Sequence, residues 1–409
     1  MCTTNMLENI VMVYLDFAKA FDKVPTERLL KKLKAHGVGG RVASWIRAWL
    51  TDRKQRVSVR GKFSSWKQVL SGVPQGSVLG PVLFLLFIND LDQETTQNQT
   101  VKKFADDTKV AQVIETAEDA EELQETLDRL VRWADTWGMA FNVDKCHVMH
   151  LGLNNQRREY KMNGCRLSTT ECERDIGVLV SNKLKPSLQC KKAAQTASTV
   201  LAQITRAFHY RDKQVFKNLY QQYVRPHLEF AVAAWNPWLQ ANIDGLEAVQ
   251  KRAVKAISGL KSNTYEERLK ELGLPSLHAR RQEIDMVQTY KLVNNMDTDN
   301  SELWFERADS RRVTRNNAVR HNLVPKRDNH KFRRNFFSSR VVEQWNRLPK
   351  SERRTNREQL QAPVQATLGG HAHRQRGVRH ATEPEHPHRG PTWIIEDHLT
   401  SIQVSIIMK

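Results

Sequence analysis

The sequence predicts an α+β fold: strands and helices alternate through a first domain, a helix-rich domain follows, and the chain ends in a tail without periodicity. Three observations carry this prediction. Over residues 1–150, β-branched and aromatic runs alternate with stretches whose apolar residues recur at helical spacing. From about residue 190 only the helical period persists. After about residue 350 glycine, proline and histidine replace any period. The expected domains are residues 1–190, 191–350 and a disordered tail, 351–409.

The elements follow in order. Residues 10–17 (IVMVYLDF) are β-branched and aromatic and predict a buried strand ending near Asp16. Pro25 opens a helix carrying Leu29, Leu30 and Leu33 and closing near Gly37. Trp45, Ile46, Trp49 and Leu50 continue helical spacing, and residues 57–59 and 66–70 flank Gly61 as a hairpin. The Gly- and Pro-rich stretch 71–81 (SGVPQGSVLGP) predicts a loop, and the apolar run 82–88 a buried helix. Residues 103–110 (KFADDTKV) read as strand, turn and strand. Leu123, Leu127, Leu130, Ala134 and Trp137 define an amphipathic helix, and residues 141–151 return to strand. In the second domain Leu246, Val249, Ala253 and Ile257 form an apolar stripe, with Lys251, Arg252 and Lys255 directed elsewhere.

Charge narrows the function. The 409 residues hold 64 Lys and Arg against 45 Asp and Glu, a net +19, which points to a polyanionic partner: nucleic acid or an acidic membrane surface. The surplus is uneven. Residues 101–160 carry 8 basic and 12 acidic side chains, whereas residues 1–100 carry 14 and 8. An acidic centre between basic arms suits metal ions working on a bound polyanion. The longest apolar stretch, 78–88, is interrupted by Gly80 and Pro81 and is too short to span a bilayer. Five cysteines without C-x-x-C spacing, and a start lacking signal-peptide character, predict reduced thiols in an intracellular protein, nuclear or cytoplasmic.

Three carboxylates carry the chemistry. Asp16 ends an apolar strand, and Asp106 and Asp107 occupy a tight turn between two others. Charge at the end of a buried strand needs a partner. Hard cations take oxygen ligands, and two such ions about 3.5–4 Å apart clamp the attacking and leaving oxygens of a phosphoryl transfer.

The motifs in order identify a family. YLDFAKAFDKV (14–24), SGVPQGSVLGPVLFLLFINDL (71–91) and KFADDTK (103–109) resemble the palm of reverse transcriptases, most closely those of non-LTR (LINE-type) retrotransposons of the chicken-repeat and jockey-like branch. The resemblance continues through residues 132–152, 174–184, 223–237, 265–277 and 336–349, with 174–184 similar to the primer-gripping hairpin. It implies a right-hand polymerase palm, an antiparallel sheet with packed helices, followed by a helical thumb-like domain.

The resemblance also implies roles. Asp16, Asp106 and Asp107 are the expected catalytic residues and ligands of two Mg²⁺ ions, with Mn²⁺ a substitute. Phe17, Phe21, Gln75, Gly76 and Lys145 are the expected nucleotide-binding residues. Among them Phe21 matches the aromatic that crowds the sugar 2′ position, and Lys145 the proton donor to pyrophosphate. Lys251, Arg252, Lys255, Lys261, Arg280 and Arg281 are expected to grip phosphates of the duplex. The implied partners are an RNA template, a DNA primer and deoxynucleoside triphosphates, with no membrane.

Two departures qualify the expectation. Relatives carry an endonuclease and fingers before the first catalytic strand, and neither fits before Asp16. This predicts an N-terminally truncated polymerase with impaired nucleotide binding; the alternatives are a catalytically dead nucleic-acid-binding remnant and a pseudogene product. The tail after Pro349 lies outside the resemblance, and its five histidines between His371 and His388 lack metal-site spacing.

Overall fold

The apolar run of residues 10–17 becomes strand β1 (Ile10–Leu15), the centre of the main sheet in this computed structural model. The structure describes residues 9–296, 301–308, 322–326 and 331–349, so the expected disordered tail and its histidines lie outside the described residues. The chain divides into two compact units after Glu173.

In the first unit β1 is followed by helices α1 (Ala20–Lys23), α2 (Thr26–Ala35) and α3 (Gly40–Leu50). A ribbon of four short strands comes next: β2 (Arg53–Gln55), β3 (Ser58–Val59), β4 (Lys62–Phe63) and β5 (Lys67–Val69). It folds back through Arg60 and Gly61, both at positive φ (49° and 79°), the backbone that a two-residue hairpin turn requires. Helix α4 (Leu79–Phe87) starts earlier than the sequence predicts, because Gly80 and Pro81 fall in its first turn, where a missing N–H costs nothing.

Strands β6 (Gln99–Phe104) and β7 (Asp107–Val113), helix α5 (Ala117–Trp137) and β8 (His147–Leu151) follow. Short strands β9 (Lys161–Met162), β10 (Cys165–Arg166) and β11 (Ser168–Thr170) end the unit's regular structure. The expected strand 141–151 is only partly regular: residues 143–145 form a 3₁₀ turn, and Phe141 makes an isolated bridge to Phe17. The five-stranded sheet has the order β11-β8-β1-β7-β6, antiparallel except for the β11–β8 pair.

Alternation sorts its two faces. Val11, Val13 and Leu15 of β1, Val110 of β7 and Val148 of β8 join the core with Leu123, Leu127 and Leu130 of α5 and Phe84 and Phe87 of α4. Side chains at the even positions of β1 fall on the opposite face.

Strand β12 (Cys172–Asp175) pairs with β13 (Val178–Ser181) as a hairpin where 174–184 predicts one. β13 packs on α6 (Ser187–Ala207), with the Leu179 N–H donating to Gln189 Oε1 at 2.9 Å. The rest of the second unit is helical: α7 (Lys213–Leu219), α8 (Arg225–Glu229), α9 (Val232–Trp235), α10 (Gln240–Lys255), α11 (Tyr265–Leu272), α12 (Leu277–Val293), α13 (Ser301–Trp304), α14 (Lys331–Arg334) and α15 (Phe337–Arg347). Leu246, Val249, Ala253 and Ile257 are buried as their stripe predicts. Arg340 of α15 binds Asp285 of α12 with both a Nη and the Nε, at 2.7 and 2.9 Å.

Candidate active site

Register places the three aspartates. Leu15 of β1 faces Thr108 of β7, so one step further along the same ladder Asp16 comes level with Asp107. Phe104 pairs with Asp107, which leaves a two-residue turn of Ala105 and Asp106. Ala105 takes φ 51°, a left-handed backbone costing an L-residue about 1–2 kcal/mol, held by the paired strands on either side. Asp107 is exposed, and Asp16 and Asp106 are half-buried.

On the other side of β1, Tyr14 faces His147, and two steps further stands Lys145. Its ammonium lies 3.3 Å from Asp16 Oδ2. Beneath Asp16 sits Cys146, fully buried, whose Sγ accepts a hydrogen bond from the Asp16 N–H at 3.5 Å. Burial pushes this thiol up to about 11, so it stays neutral beside the carboxylate. The Asp16 carbonyl accepts from Asn142 N–H at 2.8 Å, which fixes the backbone on both sides of the carboxylate. Cys146 was not among the expected site residues. Its alternation with buried Val148 and His150 is the signal that would have found it.

The loop 71–78 is laced to the segment after Asp16. Gly72 N–H donates to Val24 O and Val73 N–H to Phe21 O, both at 2.8 Å, and Ser71 Oγ donates to Asp22 O at 2.8 Å. Gln75 Nε2 donates to Asp22 Oδ1 at 3.2 Å, and Gln75 and Gly76 are exposed at the loop's crest. Gly72 has φ 88°, and a Cβ there would lie 2.6 Å from the Asp22 carbonyl oxygen. Asp22 thus joins the site through Gln75, a contact that motif spacing alone does not reveal. Phe21 stacks on Phe84 of α4 with centroids 4.6 Å apart.

Phe17 is different. Its ring is 2% exposed, stacked on Phe141 at 4.4 Å and tilted against Trp133. A side chain so placed packs the core and does not reach a nucleotide, because the odd positions after Leu15 continue the inward-facing row.

The expected phosphate contacts of the second unit separate into two sets. Lys251, Arg252, Lys255 and Lys261 are exposed, with Arg252 Nη2 donating to Ser198 Oγ at 2.7 Å and Lys251 over the Tyr265 ring. Arg280 is instead tied to Glu229 at 3.1 Å and to Glu283 at 2.8 Å. Arg281 is 2% exposed, and burial lowers its pKa. These two arginines are therefore internal groups and not the phosphate contacts the resemblance implies. α12 packs against helices on several sides, so adjacent charges along it do not mark a free face.

Among the described residues no three His, Cys, Asp or Glu side chains converge on one point as a cation site. The donor chemistry nevertheless fits a hard divalent ion: carboxylate oxygens at neighbouring strand ends, one of them already beside a cation, the Lys145 ammonium.

Residues 2–173 match the family model of reverse transcriptase (RNA-dependent DNA polymerase). Residues 2–173 thus carry a reverse transcriptase domain. The chain is similar to the RNA-directed DNA polymerase from mobile element jockey of Drosophila melanogaster, 27% identical over 263 residues, covering 62% of this chain and 29% of that protein. The jockey polymerase of Drosophila funebris is 28% identical, covering 60% and 28%, and the probable polymerase from transposon BS of Drosophila melanogaster 24%, covering 60% and 28%. The probable polymerase from transposon X-element of Drosophila melanogaster is similar as well, 25% identical over 260 residues. The chain spans less than a third of the length of these relatives. Among solved structures it is similar to apo telomerase from Candida Tropicalis, at 11% identity and a TM-score of 0.36, covering 66% of this chain and 46% of that one.

Proposed function

We propose that this chain catalyses RNA-directed DNA synthesis, in which the 3′-hydroxyl of a primer attacks the α-phosphate of a deoxynucleoside triphosphate and pyrophosphate leaves. The observation that carries the reading is the register that brings Asp16 level with Asp107, beside the turn bearing Asp106, in a domain of the matching family. Asp16 and Asp106 would hold Mg²⁺, or Mn²⁺ in its place, with Asp107 beside them. Such ions, when bound, lower the pKa of the attacking hydroxyl and hold the developing charge.

The chain's own residues do the rest. Lys145, 3.3 Å from Asp16, stands where its ammonium can give a proton to the departing pyrophosphate. The Phe21 ring, braced from behind by Phe84, crowds a sugar 2′-hydroxyl. The exposed Gln75 and Gly76 lie against nucleotide and template, where glycine permits close backbone approach. The exposed cations of the second unit, Lys251, Arg252, Lys255 and Lys261, serve as thumb contacts to duplex phosphates. No described helix is long and apolar enough to cross a membrane, and the unpaired cysteines accord with an intracellular setting, nuclear or cytoplasmic.

Primer extension on poly-rA/oligo-dT with Mg²⁺ or Mn²⁺ tests this. The full chain should incorporate deoxythymidine, and Asp16→Asn and Asp106→Asn should each lower the rate by about 10²–10³-fold, the scale of losing one group that stabilises transition-state charge. No incorporation with either metal, or an Asp106→Asn rate equal to that of the parent chain, would overturn the reading.

A further inference from the structure

The ribbon β2–β5 projects without a core of its own. Residues 53–69 contain six Lys or Arg and no Asp or Glu. Every residue from 54 to 68 is exposed, including Phe63 and Trp66 at 58% each. A two-stranded ribbon in water is marginal by itself, and apolar rings left in solvent on it lack a partner. Two contacts order it. At its root Arg53 donates to the carbonyls of Leu50 (2.9 Å), Ser71 (3.1 Å) and Gly72 (2.5 Å). Along one face the Arg56 guanidinium lies 3.9 Å from the Phe63 ring centroid and 4.7 Å from that of Trp66.

We propose that this ribbon is a docking arm for single-stranded RNA, with bases stacking on Phe63, Trp66 and the Arg56 plane while the surrounding cations contact phosphates. Charge excludes an apolar protein partner as the better fit: burying rings interleaved with six cations would strip those cations of water without supplying opposite charge. A duplex fits less well, since its base faces are already stacked. A single strand offers both what the rings need and what the cations need, and base–aromatic stacking is worth about 1–3 kcal/mol per base. Arginine laid flat on aromatic rings extends the same platform. The root on Ser71 and Gly72 ties the arm to the loop that carries Gln75 and Gly76. The choice of RNA rests on the proposed copying of an RNA template; the existence of the arm does not.

Fluorescence anisotropy of a labelled, unstructured 20-nucleotide RNA, with the full chain and without nucleotide or metal, tests the arm independently of catalysis. Phe63→Ala/Trp66→Ala should raise Kd about 10- to 100-fold. Trp66→Tyr, which keeps a stacking ring, should stay within about 3-fold of the parent. Removing three cations (Arg56→Ala/Arg60→Ala/Lys62→Ala) should reduce the slope of log Kd against log salt by about 2. Unchanged thermal transitions would show that these exposed substitutions leave the fold intact. Unchanged affinity in the ring variant, tighter binding of the matching DNA strand or of duplex RNA, or a concentration-dependent dimer abolished by Trp66→Ala would each overturn the proposal. A chain that binds RNA through the arm yet fails to extend a primer would sink the polymerase reading alone.

Discussion

Cys146 shows how a single buried atom conditions the chemistry beside it. Its thiol supports the Asp16 backbone, and burial moves its pKa from 9.0 to about 11. The folded chain therefore favours the protonated thiol. The stability this confers is fully present below pH 9 and is lost as pH rises through about 11. At pH 8 the thiolate fraction of Cys146 is thus far below that of an exposed thiol. Alkylation by iodoacetamide, followed by mass spectrometry, should mark exposed Cys165 well before buried Cys146; comparable rates would contradict the burial. At this scale Asp16 is conspicuous as a charge at the end of an apolar strand, whereas Asp106 and Asp107 are ordinary turn residues that only the motif resemblance singles out. Phe17 was misleading. The resemblance assigns it to the nucleotide, yet strand alternation sends its ring into the core.

At the scale of the element, the packing of α2, α4 and α5 turns on a charge no pattern announced. The stripe of Leu29, Leu30 and Leu33 was readable, but Lys32 sits among Lys31 and Lys34 like any surface lysine. In the fold it is 5% exposed. Its ammonium donates to the Phe87 carbonyl at 2.6 Å and to Asp90 at 2.5 Å, and it lies 3.8–4.9 Å from the ring centroids of Trp137, Trp133 and Phe87. Burial lowers its pKa, and Asp90 pulls the other way. Lys32→Met keeps the stem and removes the charge. It should lower stability by about 2 kcal/mol, the scale of a hydrogen bond to a charged group, because Asp90 and a buried carbonyl lose their donor. Urea unfolding at unchanged m-value would measure it. A loss below about 0.5 kcal/mol would mean that water replaces the ammonium fully. The converse holds in α12, where Arg280 and Arg281, expected to grip phosphates, are buried or tied to internal carboxylates. Helical period identifies apolar stripes well and buried ion pairs poorly, since a charged residue carries the same letter inside or out.

For the whole molecule, the core clusters follow the division of the chain. One cluster runs from Val11 to Leu167 and the others from Val178 to Leu348. Calorimetry should accordingly resolve two transitions, with a calorimetric enthalpy exceeding the van't Hoff value; one transition with equal enthalpies would contradict two separately cored units. The sequence shows alternating strand and helix over the first 150 residues and only helical period beyond 190, which predicts a boundary near 190, while the units divide after Glu173. The boundary itself is not legible, because hairpin β12–β13 reads as strand and yet packs its second strand on helix α6. One position in the first unit bears on how such domains are screened. Gly72 admits no side chain: its backbone is left-handed, and any Cβ would collide with the Asp22 carbonyl. A single-base change from glycine to alanine there would displace the Gln75 loop while leaving all three aspartates in place. A survey that scores related genes by their aspartates alone will therefore count copies with a displaced loop as intact.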